Sequence, residues 1–556
     1  MMDTGTAQAE RTHPGATQHA DDQGQVVLRL RIGITCHRDI DCDHPGLVTE
    51  IANAVEYITQ LLATDPDRVR SGETVLTAVS SLAEGADRLV AGEILKREGS
   101  RLEIVLPLPA EDYCRDFSSP ASIDQFNEFR NRPGTITDII RTARPPEKAY
   151  ALAGRAVVDR SDVMIVVVLD GEPARDRGGT AEILSYAQRW QKPILLISAD
   201  ANSAKLDTDR LPRVAKGKAP LSPESMKRLD EYNKVHLPKA AFDASPSLLA
   251  EARSPDWLKS SAQLADHVSH YYARADLLAR RFQQRWFLVT RLLYTLAPLA
   301  ILVVAAQVTF APDRVGFAWI EFAILIVIIV VLIVARRARW HQHWVSARYL
   351  AEQLRSLMFL GLTGIVTLEK SVAASDRQAD DESSWTERAA NEIWFIRPRY
   401  VPPADISLII GVLYEEWIKE QQKYHSKVSR TYRRRSTRLQ FAAVGLFGLS
   451  ALFALLHSLG TLSTATEPFK WWDFLAIAIP GVAAALGGYG AQRDYLRHAE
   501  RSKLFASTLE SAADRLLTAG SLEDVQQAAL SVSRAMRSEA TDWYTVVHSQ
   551  DVELPS

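Results

Sequence analysis

The chain has 556 residues, with 65 Lys and Arg against 67 Asp and Glu, and a formal net charge of −2. That balance excludes the overall basic signature of a nucleic-acid-binding protein, and the length points to several domains rather than one. Its three cysteines, Cys36, Cys42 and Cys114, exclude a disulfide scaffold and fit reduced thiols in a cytosolic setting.

Residues 1–24 are polar, have no apolar core of the kind a signal peptide needs, and read as a disordered arm. From 25 to 200 the pattern alternates between strand and helix. Val26–Cys36 is an alternating and then apolar strand, and Leu47–Ala63 has helical periodicity. Thr74–Ser80 is a second strand, and the turn after it opens a helix through about Glu98. Leu102–Leu108 is a third strand, followed by helical stretches near 121–131 and 147–159. Val163–Leu169 is continuously apolar, as a strand covered on both faces must be. Gly178-Gly179-Thr180 opens a further helix, and Pro193–Ser198 is a further strand. The expected fold is an α/β, Rossmann-like parallel sheet, doubly wound by helices.

In such sheets ligands bind at the carboxyl ends of the strands. Three clusters fall there. The first is Gly33, Thr35, His37 and Arg38. The second is Ser80 and Ser81 with Glu84, Gly85, Ala86 and Asp87. The third is Asp170 and Gly171 with Gly178, Gly179, Thr180 and Glu182. Glycine lets a backbone approach a ligand closely, and helix N-termini present free N–H groups to phosphate. Each cluster alone is also what an ordinary strand-to-helix turn uses. Together on one edge they point to a nucleotide or phosphorylated nucleoside.

Gly33-Ile34-Thr35-Cys36-His37-Arg38, the Ser81 to Asp87 turn, and Gly178-Gly179-Thr180-Ala181-Glu182 resemble the SLOG superfamily. That is a Rossmann-like fold shared with the cytokinin-activating LOG enzymes and the DprA proteins. The resemblance covers roughly 28–200 and implies binding of a nucleotide-derived signal ligand. The LOG enzymes carry Pro-Gly-Gly-x-Gly-Thr-x-x-Glu. Here Arg177 stands near the proline position, one glycine is missing, and Glu182 falls one place short of the acid, where Ile183 stands. One residue turns a helix by about 100°, so the carboxylate is aimed elsewhere. Binding is therefore expected over cleavage, with no catalytic residue assigned. The alternative is a membrane-tethered N-glycosidase acting on a nucleotide or NAD, with Glu182 or Asp87 as the acid/base. No resident cofactor and no metal site are expected.

Residues 201–265, rich in Lys, Pro, Ser and Asp, read as a linker with short helices. Two apolar runs follow at 292–310 and 317–335, and two more at 441–459 and 474–490. Each approaches the ~20 residues that cross a bilayer. The second part of the chain is thus an all-α membrane domain with four transmembrane helices in two hairpins. Tyr- and Arg-rich helices precede both hairpins. Ala351-Glu352 and Ala499-Glu500, and then Arg388 with Trp394 and Arg537 with Trp543, recur about 150 residues apart, the mark of an internal repeat.

The repeated unit resembles the SLATT family, two transmembrane helices followed by a cytosolic helical segment, at roughly 266–398 and 399–556. The resemblance implies a membrane effector of bacterial conflict systems that oligomerises and disrupts the inner membrane when a nucleotide signal arrives. Arginines crowd the outer flanks of both hairpins, and only Arg314 and Lys470 mark the tips. The positive-inside rule places both termini in the cytoplasm. Tryptophans at span ends, among them Trp286, Trp344 and Trp471, fit an aromatic belt. The fourth span has small residues four apart, Gly481/Ala485 and Ala484/Gly488. They suit an oligomer axis, the lining of a pore, or packing against the third span, where Gly445 and Gly448 also lie. The expected partners are a signal nucleotide, the lipid bilayer and further copies of the chain, with no nucleic acid.

Overall fold

The computed structural model describes residues 23–37, 40, 45–62, 74–140, 146–169, 179–190, 192–199, 204–207, 223–245, 248, 256–365, 381–398, 400–458 and 470–548. It divides into two compact units. One comprises residues 1–236 with 367–396, and the other 237–366 with 397–556.

The first unit is built on strands β1 (Leu28–Cys36), β2 (Thr74–Ser80), β3 (Arg101–Leu106), β4 (Ile136–Ile139), β5 (Val163–Leu169), β6 (Ile194–Ala199) and β7 (Ala204–Asp207). Their order is β4-β3-β2-β1-β5-β6-β7. All pairs are parallel except β6 with β7, which is antiparallel. Strands β1, β2, β3, β5 and β6 are those the alternating pattern requires. β4 and the antiparallel edge β7 are additions to it. Both have only four residues, too few to show a period, and β7 lies in the polar stretch that reads as linker.

Helices α1 (Pro45–Leu62) and α2 (Ala86–Leu95) pack together and are tied by Arg97 and Glu56 at 2.7 Å. The unit also contains α3 (Pro120–Asn131), α4 (Pro146–Arg160), α5 (Thr180–Arg189) and α6 (Pro223–Lys234). From α4 and α5, Val157, Ile183 and Ala187 form one core with Met164 and Val166 of β5. Apolar side chains on both sides of the central strands explain why β5 reads as an unbroken apolar run.

One helix of this unit comes from far along the chain. Asp381–Phe395, which carries the repeat landmarks Arg388 and Trp394, packs on α6 and β1. Trp385 meets Tyr232 with ring centroids 5.1 Å apart. A buried charge network fastens it. Glu392 accepts from Arg31 of β1, and Arg31 Nε also donates to Glu103 of β3 at 3.0 Å. Arg388 donates to the Arg29 carbonyl and to Asp162 Oδ2, both at 2.9 Å. The Arg31 guanidinium lies 4.7 Å over the Phe395 ring. Burial opposes its charge, but Glu103, Glu392 and Asp162 outweigh that and push its pKa up. The chain therefore enters the helical unit at Leu237, returns for 367–396, and re-enters at Arg397.

The second unit is helical. α7 (Asp256–Phe310), α8 (Gly316–Arg337) and α9 (Trp340–Leu362) come from the first repeat. From the second come α10 (Glu420–Ser458), α11 (Lys470–Arg493), α12 (Tyr495–Leu517) and α13 (Leu522–His548). A helical turn Ile406–Val412 and a π-helical stretch Leu413–Lys419 lead into α10. Four helices here are long and apolar enough to cross a membrane. Their large apolar side chains point outward. On α8, Trp319, Phe322, Ile326, Ile329 and Ile333 belong to a surface that water would not tolerate and lipid would.

The duplication extends to the backbone. Arg339 and Asp494, each just before a 23-residue helix, both take left-handed φ, at 47° and 42°. A side chain rarely adopts that conformation, so its recurrence at the same junction marks a shared architecture. Counted from these caps, Ala351-Glu352 stands about two helical turns further along its helix than Ala499-Glu500 does. The repeats thus correspond by architecture more closely than by those landmarks.

Two expectations are refined. The fourth span packs on the third, as expected, and also on the first: a Cβ at Gly481 would lie 2.9 Å from Ile301 and one at Gly488 3.1 Å from Tyr294, while one at Gly490 would lie 3.8 Å from Leu439 of the third span's helix. Gly445 and Gly448 of the third span have nothing within 4 Å of such an atom. Trp286 and Trp344 are buried within the helical unit, while Trp471 is exposed.

Candidate functional site

In the first unit the strand order reverses between β1 and β5, so the crevice expected in a doubly wound sheet opens at their carboxyl ends. There the His37 N–H donates to the Val167 carbonyl at 3.1 Å, which closes the edge of the sheet. Thr35 and His37 are half-buried on β1 and just beyond it. Arg38, Asp170, Gly171 and Gly178 lie outside the described residues.

The β2–α2 turn is the most constrained part of this edge. Leu82 is fully buried and has φ 52°, and Gly85 at the helix cap has φ 94°. A buried leucine in the left-handed region is held there only by strong surroundings. Those surroundings are visible. The Ser80 hydroxyl accepts from the Leu82 N–H and donates to Asp87 Oδ2, each at 2.9 Å. Arg88 Nε donates to the Leu82 carbonyl at 3.2 Å, and its Nη1 donates to the Ser122 carbonyl at 2.8 Å. Glu84 accepts from the Ser118 N–H at 2.7 Å. Burial works against ionisation of Glu84, but hydrogen bonds from Ser122 and Ser118 outweigh it and hold its pKa low.

Asp87 is the electrostatic centre of the turn. Burial pushes its pKa up to about 6, although the Ser80 hydroxyl, the Cys36 thiol and the backbone N–H groups of Ala83 and Cys36 favour the carboxylate. It is 4% exposed, and its Oδ1 has no well-formed hydrogen bond among the described residues. Asp87 therefore joins the first cluster to the second, through Cys36 at the end of β1. Cys36 escaped sequence reasoning because a lone apolar-strand cysteine gives no signal. Ser81, Gly85 and Ala86 complete the turn, with Ser81 and Gly85 half-buried.

The remaining candidates separate. Gly33 lies mid-strand, where a Cβ would overlap Ser161 Oγ and Met164 Sδ, so packing accounts for its size. Gly179 caps α5, and Thr180, its first residue, is buried. Glu182 on the first turn of α5 is ion-paired with Arg155 of α4 at 2.6 Å. Among the described residues no three His, Cys, Asp or Glu side chains are grouped to hold a metal.

Residues 414–543 match the family described as SMODS and SLOG-associating 2TM effector domain 1. This stretch covers α10 to α13 up to Trp543, the second repeat. This part of the chain is thus similar to a two-transmembrane effector domain, and among the described residues four helices are long and apolar enough to cross a membrane. No curated protein and no solved structure matches the chain.

Proposed function

We propose that this protein is an inner-membrane effector of a bacterial defence system. Its α/β unit binds a nucleotide-derived signal in the cytoplasm, and its helical unit then oligomerises and disrupts the bilayer. The observation that carries this reading is the effector-domain match at 414–543 on a chain that also builds a doubly wound sheet. A SLOG-like identity for the sheet is the matching half of the reading, supported by the constrained β2–α2 turn at its ligand edge. A binding role is favoured over an N-glycosidase because Glu182 is already paired with Arg155. The helix Asp381–Phe395 supports coupling, since it closes the first repeat in sequence and is fastened by buried charge to Arg31 of β1, which in turn bonds Glu103 of β3. A signal can move such an assembly only by binding its two states unequally.

Binding is tested on the full chain in detergent, by thermal unfolding with AMP, NAD and cyclic mono- and dinucleotides. A true ligand at 100 times its Kd adds ~2.7 kcal/mol of stability. Ser81→Trp, which fills the edge, is expected to abolish that shift. If no nucleotide stabilises the protein, the sensor half of the reading fails.

A further inference from the structure

The helical unit contains a cavity of about 310 Å³ that none of the foregoing uses. It lies beyond the ends of the apolar runs, on the side where both hairpins carry their arginines. Both repeats wall it: α7 and α9 from the first, and α10, the end of α11, α12 and α13 from the second. That volume is at the lower end of the range for small-ligand sites.

Its chemistry is that of an anion site with aromatic walls. Four arginines line it against three carboxylates, Asp276, Glu352 and Glu539. Three of the arginines are matched. Arg280 meets Asp276 at 2.8 Å, Arg348 meets Glu352 and Asp276, and Arg501 meets Glu539 at 3.3 Å. Arg493, the last residue of the fourth span's helix, has no carboxylate within ion-pair distance among the described residues. It donates from Nε to the Tyr495 hydroxyl at 3.2 Å, and its guanidinium lies 3.7 Å over the Phe287 ring. A guanidinium seated over a ring keeps N–H groups available for an oxyanion. The second observation is independent of charge. His425, also lining the cavity, is 8% exposed, and its Nδ1 has no hydrogen-bond partner among the described residues. A buried polar atom left without a partner is costly, and a bound group would relieve it.

We infer that this cavity binds a phosphate group, with Arg493 as its principal cation and His425 as a second polar contact. At the edge of the bilayer the phosphate has two sources, an anionic lipid headgroup or a soluble phosphate ester. Either would bridge the two hairpins, because the walls come from both repeats. The site is separate from the sheet edge and does not depend on the sensor reading.

The test uses the full chain in maltoside micelles, which carry no phosphate. One arm titrates inorganic phosphate at constant ionic strength. The other titrates dioleoylphosphatidylglycerol into the micelles. Tryptophan fluorescence is the readout, since Trp286 and Trp344 line the cavity. A saturable change is expected in at least one arm, with Kd at least tenfold weaker in Arg493→Gln and largely restored in Arg493→Lys. A response to phosphate identifies a soluble ester, and a response confined to the lipid arm identifies a headgroup. If Arg493→Gln does not elute as a single folded species, Arg501→Gln, which leaves Glu539 unneutralised in the cavity, carries the same comparison. No saturable change in either arm, or an unchanged Kd in the folded variant, overturns the inference.

Discussion

Glu392→Ala tests the fastening of the helix Asp381–Phe395 to the sheet. The Glu392 side chain is 2% exposed and the Arg31 side chain 3%, so solvent cannot replace the lost partner. Arg31 keeps Glu103 at 3.0 Å, but Glu392 also serves Arg29 at 3.5 Å, and Arg388 loses a neighbouring carboxylate. Removing one member of a buried pair costs roughly 3–5 kcal/mol, because a buried charge is left uncompensated. The retained Glu103 contact places the expected loss at the lower end, about 3 kcal/mol. Lys96→Ala is the control. Its side chain is 69% exposed, so its bond to Glu93 should be worth no more than about 0.5 kcal/mol. Hydrogen exchange of the full chain in detergent reads both quantities, and peptides covering Asp381–Phe395 and β1 should lose protection together in Glu392→Ala only. A change below about 1 kcal/mol, or loss confined to the helix without β1, would refute the clamp. Replacing Arg31, Glu103 and Glu392 together by apolar residues of similar volume should restore most of the stability.

The raised pKa of Asp87 makes a pH prediction. Its ordinary value is 3.8 and its folded value about 6, so the folded state binds the proton more tightly. That contribution is fully present below pH 3.8 and is lost as pH rises through 6. The difference corresponds to about 3 kcal/mol at most, of which roughly 2 kcal/mol is gained between pH 7 and pH 4, so Asp87→Asn should remove a gain of that size, measured by denaturant titration. Gly33→Ala should destabilise the α/β unit by about 1–3 kcal/mol, since its methyl overlaps Ser161 and Met164, whereas the nearby Ser81→Ala should change little. Gly481→Ala should lower the thermal midpoint of the helical unit by pressing on Ile301, whereas Gly445→Ala, whose Cβ meets nothing within 4 Å, should not. Glu182→Gln, at an ion pair whose carboxylate is 27% exposed, should cost under about 1 kcal/mol in stability and leave nucleotide binding intact.

Much of this architecture was legible in the residues. β5 falls where its apolar run ends, because a strand buried on both faces has no polar residue to blur its limits. The four spans are equally plain, since lipid tolerates only long apolar helices. What could not be read depends on partners distant in sequence. Arg31 and Glu392 each look like ordinary charged residues, and only the fold brings them together. The small residues of the fourth span announce close packing but not against which helix. At the sheet edge, Ser80, Glu84 and Asp87 were visible as turn chemistry. The use of Ser80, backed by Asp87, in holding Leu82 left-handed was not, because leucine carries no preference for that conformation.

Dye release from proteoliposomes containing the full chain tests the central claim most directly. Under the proposed function, a nucleotide that stabilises the protein also increases release, and Ser81→Trp abolishes both effects. A nucleotide that binds without changing release, or a leak equal with and without it, would contradict the account.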